Sequence, residues 1–190
     1  MPTEALKPVN VAQTSAQQSP WSGRERALRV LWGLCWALFC LWTPKPANPW
    51  RLFWLRVFGA TIHGTPFVHQ RARIEIPWNL TLHDRACLGD RANVYSLGQI
   101  EIGARATVAQ EVYLSTGSHD FSSAGIPLVT GRITVGDDAF VGARAFVMPG
   151  ITIGARSVIG ACSVVTKDVP MDSFAAGNPC RVLRARDSSV

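Results

Sequence analysis

The stretch ITVGDDAFVGARAFVMPGITIGARSVIGACSVV, residues 133–165, places an apolar residue at every sixth position: Val135, Val141, Val147, Ile153, Ile159 and Val165. Two positions ahead of each stands another apolar or small residue: Ile133, Ala139, Ala145, Ile151, Ser157 and Ser163. Residues i and i−2 of a strand share a face, so both members of each pair point inward. Glycine often follows the beat, as at Gly136, Gly142, Gly154 and Gly160, and is read as permitting a turn conformation closed to other residues. Neither an amphipathic helix nor an ordinary alternating strand has this period. A short strand, a turn and another short strand, repeated, is the hexapeptide pattern of a parallel β-helix.

The same beat runs through Ile76, Leu82, Leu88 and Val94, and again through Ile102, Val108 and Leu114. Three hexads make one triangular coil, so residues 18 apart are expected to stack, with coils ~4.8 Å apart. Thirteen beats give just over four coils. The expected class is all-β: a parallel β-helix with an N-terminal α-helical segment and a protruding loop.

The rhythm fails at Ser118-His119-Asp120. Tyr113 is the middle residue of its hexad and points outward; six positions on, so does His119. The inward slot then falls to Asp120, and a carboxylate in a packed apolar coil is costly. The coil is therefore expected to break at Asp120 and extrude a loop from Phe121 to about Arg132. Histidine titrates near neutrality and suits a general base. Asp120 is read as orienting His119 or capping the loop; adjacent strand residues face opposite ways, which argues against a simple dyad. Asn93 is a second outward candidate, followed by a two-residue insertion between Val94 and Ile102.

The remaining sequence has a different character. Residues 1–20 are polar and aperiodic and read as a flexible tail, 21–60 as an apolar helical segment, and 61–190 as the β-helix domain. The run 28–42 is apolar on all sides except Arg29, too short for a bilayer span and not a convincing signal peptide. Its tryptophans and flanking arginines suit peripheral contact with a membrane; a helical hairpin packed on the main domain is the competing reading. The net charge of +6 suits anionic partners, but no basic run interleaved with aromatics suggests nucleic acid. The five cysteines form no CxxC pair and read as reduced thiols of a cytoplasmic protein. The four histidines match no short metal-ligand motif, and no metal is expected.

The ending ITIGARSVIGACSVVTKDVPMDSFAAGNPCRVLRAR resembles that of hexapeptide-repeat acyltransferases. NVYSLGQIEIG, YLSTGSHDF and the early WRLFWLRVFGATI are similar to the colanic-acid type of O-acetyltransferase used in exopolysaccharide synthesis. This resemblance implies a left-handed coil and acetyl transfer from acetyl-CoA to the hydroxyl of a sugar or lipid-linked sugar. It also implies that Asn93 holds the acceptor and that Ala143, Ala161, Thr166, Lys167, Arg181 and Arg184 bind CoA. The family shares its sites between the subunits of a trimer.

The outward positions fit that assembly: Phe140 with Val158 and Phe146 with Val164 make two apolar faces, while Thr134 and Thr152 make a polar one. Two other classes share the coil. A zinc carbonic anhydrase needs three converging histidines, and a non-catalytic scaffold makes His119 dispensable.

Overall fold

The computed structural model describes residues 6–8, 19–123 and 125–186. From Thr61 onward the chain winds into a parallel β-helix with three faces. The first face stacks Thr61–Ile62, Leu80–Leu82, Ile100–Ile102, Ile133–Val135 and Thr152–Ile153. The second stacks Phe67–Val68, Cys87–Leu88, Thr107–Val108, Phe140–Val141, Val158–Ile159 and Ser173–Ala176. The third stacks Arg73–Ile74, Asn93–Tyr95, Tyr113–Ser115, Phe146–Val147 and Val164–Val165. Inward beats such as Leu82, Leu88, Val94, Ile102 and Val108 are fully buried. The column of apolar side chains running up the coil axis is the core.

The spacing of 18 holds only in the upper coils, where Thr134 pairs with Thr152 and Phe140 with Val158. Lower down it is 20: Thr61 pairs with Thr81, and Thr81 with Glu101. The extra two residues fall at the corner between the third and first faces. There Ile74, not Ile76, pairs with Val94. Ile76 is displaced into the corner, buried, with its backbone bonded to the Ser96 hydroxyl on both sides. A short 3-10 turn, Pro77–Asn79, follows it.

The glycines after the beats do not serve the turn. The left-handed corner conformation belongs instead to residues such as Arg91, Arg105, Arg144 and Arg156, two positions further on. What the glycines provide is clearance: a Cβ on Gly142 would lie 2.6 Å from the backbone nitrogen of Ala161 in the next coil. The corner arginines reach between coils to carboxylates, Arg105 to Asp138 and Arg156 to Asp172.

Two helices close the N-terminal end. Helix α1, Gly23–Phe39, begins at a capping box: Ser22 Oγ accepts from the Glu25 backbone N–H, and the Glu25 carboxylate accepts from that of Ser22. Helix α2, Asn48–Val57, begins within the proline-rich stretch TPKPANP, residues 43–49. Together they serve the unpaired edge of the first coil. Trp32 and Trp36 donate their indole N–H groups to the carbonyls of Ile74 and Gln70. Asn48 donates to the Pro66 carbonyl and accepts from the Val68 N–H. Arg51, fully buried, donates to the carbonyls of Val68, Pro44 and Lys45 and to Thr43 Oγ1. The helical segment is thus packed on the domain, but through one face only. Among the described residues no helix is long and apolar enough to cross a membrane.

The coil is left before Asp120. Ser115 and Thr116 are buried at the corner, and Gly117–His119 turns away as one strand of a hairpin, antiparallel to Leu128–Thr130. Asp120 therefore never occupies an inward slot. Lys7–Pro8 adds a third strand to this hairpin, pairing with Val129 and Thr130. The rest of the polar N-terminal stretch, 1–5 and 9–18, lies outside the described residues, as do 124 and 187–190.

Candidate active site

The hairpin is seated on the corner that carries the two-residue insertion. Thr116 Oγ1 donates to the Tyr95 carbonyl and accepts from the Gly98 N–H. Gly117 sits where a Cβ would meet Leu97 Cδ1 at 2.8 Å, so a larger residue would have to push the Leu97 side chain aside where the strand leaves the coil. Two residues on, His119 is exposed. Its Nδ1 lies 2.9 Å from the Ile126 carbonyl oxygen. A carbonyl only accepts, so Nδ1 carries a proton, and in the neutral ring Nε2 is the nitrogen with the lone pair. Ile126 has φ of 43°, a left-handed conformation that a β-branched residue adopts only when its surroundings impose it.

Asp120 does not touch the imidazole. Its carboxylate accepts from the Ser122 N–H and hydroxyl and from the Ser123 hydroxyl, and those bonds hold its pKa below the usual carboxylate range. Asp120 therefore shapes the hairpin tip.

The other candidates, Arg184 excepted, lie on one face and its two bounding corners. Thr166 and Lys167, both exposed, follow Val164–Val165 and lie on the same corner of the coil as the hairpin. Ala143 and Ala161 stack on the next corner, where the Cys162 N–H donates to the Ala143 carbonyl. Residues 177–180 continue that corner and lead into Arg181, which bonds the Cys180 carbonyl. Asn93 lies on the face between, in a column of paired positions with Tyr113, Phe146 and Val164. Arg184 is apart from both corners, in the C-terminal strand Arg181–Ala185, with its guanidinium 4.1 Å above the Phe174 ring.

The aromatic column on that face was not singled out from sequence. Tyr113 stacks on Phe146 at 5.0 Å and touches Tyr95 at 6.0 Å. Its signal was available: aromatic residues recur at outward positions that coil spacing superposes.

His63 and His83 stack at 4.9 Å, His83 Nε2 lies 2.8 Å from Glu101, and His69 pairs with Asp90. Among the described residues no group of three or more His, Cys, Asp or Glu side chains is placed to hold a metal ion. Among the described residues the histidines are therefore not brought together as the zinc alternative would need. Burial raises the thiols of Cys35, Cys87 and Cys180, and that of Cys40 to about 12, so none of these four is an activated nucleophile.

Comparison with known proteins agrees with this architecture. Residues 132–167 match the family described as bacterial transferase hexapeptide (six repeats), and the chain belongs to the hexapeptide-repeat acetyltransferases. It is 40% identical over 161 residues to WcaF of Escherichia coli (strain K12), a protein assigned to colanic acid biosynthesis as an acetyltransferase; the match covers 84% of this chain and 88% of that protein. Among solved structures it is similar to a hexapeptide-repeat acetyltransferase of Vibrio cholerae, with TM-score 0.78, 26% identity and coverage of 88% and 95%. A maltose O-acetyltransferase of Clostridium difficile 630 gives TM-score 0.75, 28% identity and coverage of 88% and 90%. The Vibrio protein has also been solved in complex with acetyl coenzyme A. The coil is the left-handed β-helix of these acetyltransferases.

Proposed function

We propose that the protein transfers an acetyl group from acetyl-CoA to a hydroxyl of a sugar acceptor in exopolysaccharide biosynthesis, with His119 as general base. The observation that carries this reading is the His119–Ile126 bond, which leaves a lone pair on Nε2 at an exposed position, on a hairpin that leaves the same corner of the coil as Thr166 and Lys167. Nε2 removes the proton of the acceptor hydroxyl as its oxygen attacks the thioester carbonyl carbon. The tetrahedral intermediate collapses, the carbon–sulfur bond breaks, and the proton on Nε2 passes to the leaving thiolate. The Nδ1–H bond to Ile126 steadies the imidazolium formed in between. Transfer is direct, without an acyl-enzyme.

CoA is held by Ala143, Ala161, Thr166, Lys167, Arg181 and Arg184, the small residues admitting the pantetheine arm and the cations meeting phosphates. Two corners separated by a whole face suit a site completed between subunits. The apolar outward pairs Phe140–Val158 and Phe146–Val164 support a homotrimer. Asn93 contacts the acceptor. The enzyme works peripherally at the inner face of the plasma membrane, where lipid-linked sugars are met.

The test is a thiol-release assay with acetyl-CoA against a panel of nucleotide- and lipid-linked sugars. Acceptor-dependent release supports the reading, and none with any member of the panel opposes it. Light scattering decides the assembly: an active monomer would refute both the trimer and the shared site.

A further inference from the structure

The proposed membrane location requires a surface that meets lipid, and the geometry points to the outer face of the two end-cap helices as a docking surface for an anionic bilayer. This rests on the peripheral-membrane reading and gives it residues. Helix α1 buries Trp32, Cys35 and Trp36 against the coil and turns an uncharged face outward. Val30, Leu34, Leu38 and Trp42 are between half and three-quarters exposed, and Phe53 and Val57 of α2 extend the patch. Contiguous apolar surface of this kind marks an interaction site on an otherwise soluble fold.

Two observations favour lipid as the occupant. First, the exposed end of α1 satisfies its own carbonyls. Trp42 Nε1 donates to the Leu38 carbonyl and Trp50 Nε1 to that of Phe39, while Cys40 and Leu41 N–H groups serve Trp36 and Thr43 serves Cys40. A helix end in contact with water needs no such provision; one pressed into a leaflet does, because hydrocarbon supplies no donors. Second, the rim is basic. Between Trp21 and Phe58 the sole acid is Glu25, already engaged at the α1 cap, whereas Arg24, Arg26, Lys45 and Arg56 are all exposed. That is the charge complement of an anionic leaflet.

The caps also sit where an assembly would use them together. They close one end of the coil, and a three-fold axis carries all three copies to the same level along that axis. Three weak patches then engage one membrane at once, which multiplies their retention.

The experiment is flotation of the full-length protein with vesicles of phosphatidylcholine alone or of phosphatidylcholine with phosphatidylglycerol, alongside Leu38→Glu/Phe53→Glu and Arg24→Gln/Arg26→Gln. The wild type is expected to float with the anionic vesicles. The apolar-face variant should lose at least ~10-fold in bound fraction while keeping its circular dichroism and its mass by light scattering. The arginine variant should lose several-fold, and more at low salt than at high. If the wild type floats with neither vesicle, the membrane reading itself falls. If Leu38→Glu/Phe53→Glu floats as well as the wild type, that reading stands but this surface is overturned. Equal binding to neutral vesicles overturns the anionic partner. A drop in mass on introducing the glutamates shows that the face binds a second copy instead.

Discussion

His119 Nδ1 and the carbonyl oxygen of Ile126 are 2.9 Å apart, bonded across seven residues of chain at the tip of a hairpin. The bond fixes the tautomer from outside the coil, through a backbone atom that no side-chain substitution removes. His119→Ala should therefore reduce kcat by ~10²–10⁴ without unfolding the protein, since the exposed side chain packs on nothing in the core. Steady-state kinetics with circular dichroism checks both halves, and a variant with near wild-type kcat would remove His119 from the chemistry.

Arg51 should matter for stability rather than for turnover. Arg51→Met leaves the Val68 carbonyl without its donor, whereas the Pro44 and Lys45 carbonyls keep the backbone N–H groups of Ala47 and Asn48. A buried unsatisfied group costs about 1–3 kcal/mol, and a loss of that size is expected. For a chain of this size that lowers Tm by roughly 2–12 °C. Thermal unfolding measures it directly, and an unchanged Tm would show that the guanidinium is not holding the end cap.

Two glycines make opposite predictions. Gly142→Ala forces a methyl to within 2.6 Å of the backbone of Ala161 and Ile159 and should destabilise by about 1–3 kcal/mol. Gly33 lies inside α1 with nothing within 4 Å of its absent Cβ, so Gly33→Ala should stabilise by about 0.5–1 kcal/mol. Urea denaturation of the pair checks the sign of each.

Acid should unfold the protein through its inter-coil ion pairs. The hydrogen bond from Arg105 holds the Asp138 pKa below the usual carboxylate range, and Arg156 does the same for Asp172. The bond to His83 lowers that of Glu101, and Arg132 adds to it. A carboxylate with a depressed folded pKa contributes stability that is fully present above its unfolded pKa, ~4, and is lost as pH falls through the folded value. Burial holds the His69 pKa down, so the urea midpoint should begin to fall below pH ~6.5 and fall more steeply below ~5 as these carboxylates protonate. Arg105→Gln/Arg156→Gln should flatten the acid limb. An acid limb as steep as the wild type's would place the titrating groups elsewhere.

Substituting both Lys167 and Arg181 with alanine should raise KM for acetyl-CoA ~10-fold or more, the size of a lost charge-assisted bond, with kcat changed far less. Stopped thiol release across a range of acetyl-CoA concentrations separates the two. An unchanged KM would place the phosphates on other cations.

The coil was legible because inward positions recur at a fixed period and tolerate little but apolar or small side chains. Its pitch was less so. Ile74 and Ile76 are both apolar and both buried, and the six-residue rule cannot tell which one the next coil pairs with. The corner glycines were found, but for the wrong reason: crowding between coils is a property of stacking, invisible in one hexad. His119 was marked by a break in rhythm. The hairpin that carries it, and the strand Lys7–Pro8 beside it, are held by backbone bonds that leave no trace in residue type. The helical segment showed its apolar character plainly, but not that one face would turn inward and the other out.

The way α1 and α2 dress the first coil has a consequence for solubility in the cell. Each coil is a template for the next, and its backbone does not distinguish a coil of its own chain from one of a neighbour. Trp32, Trp36, Asn48 and Arg51 occupy the carbonyls at which such a neighbour would attach. A chain cut to begin at Thr61 would offer that row bare. The far end stays covered by the strand Arg181–Ala185, so such a chain should self-associate through the bared end alone, raising its mass in light scattering, with the stopper removed rather than any new stickiness added.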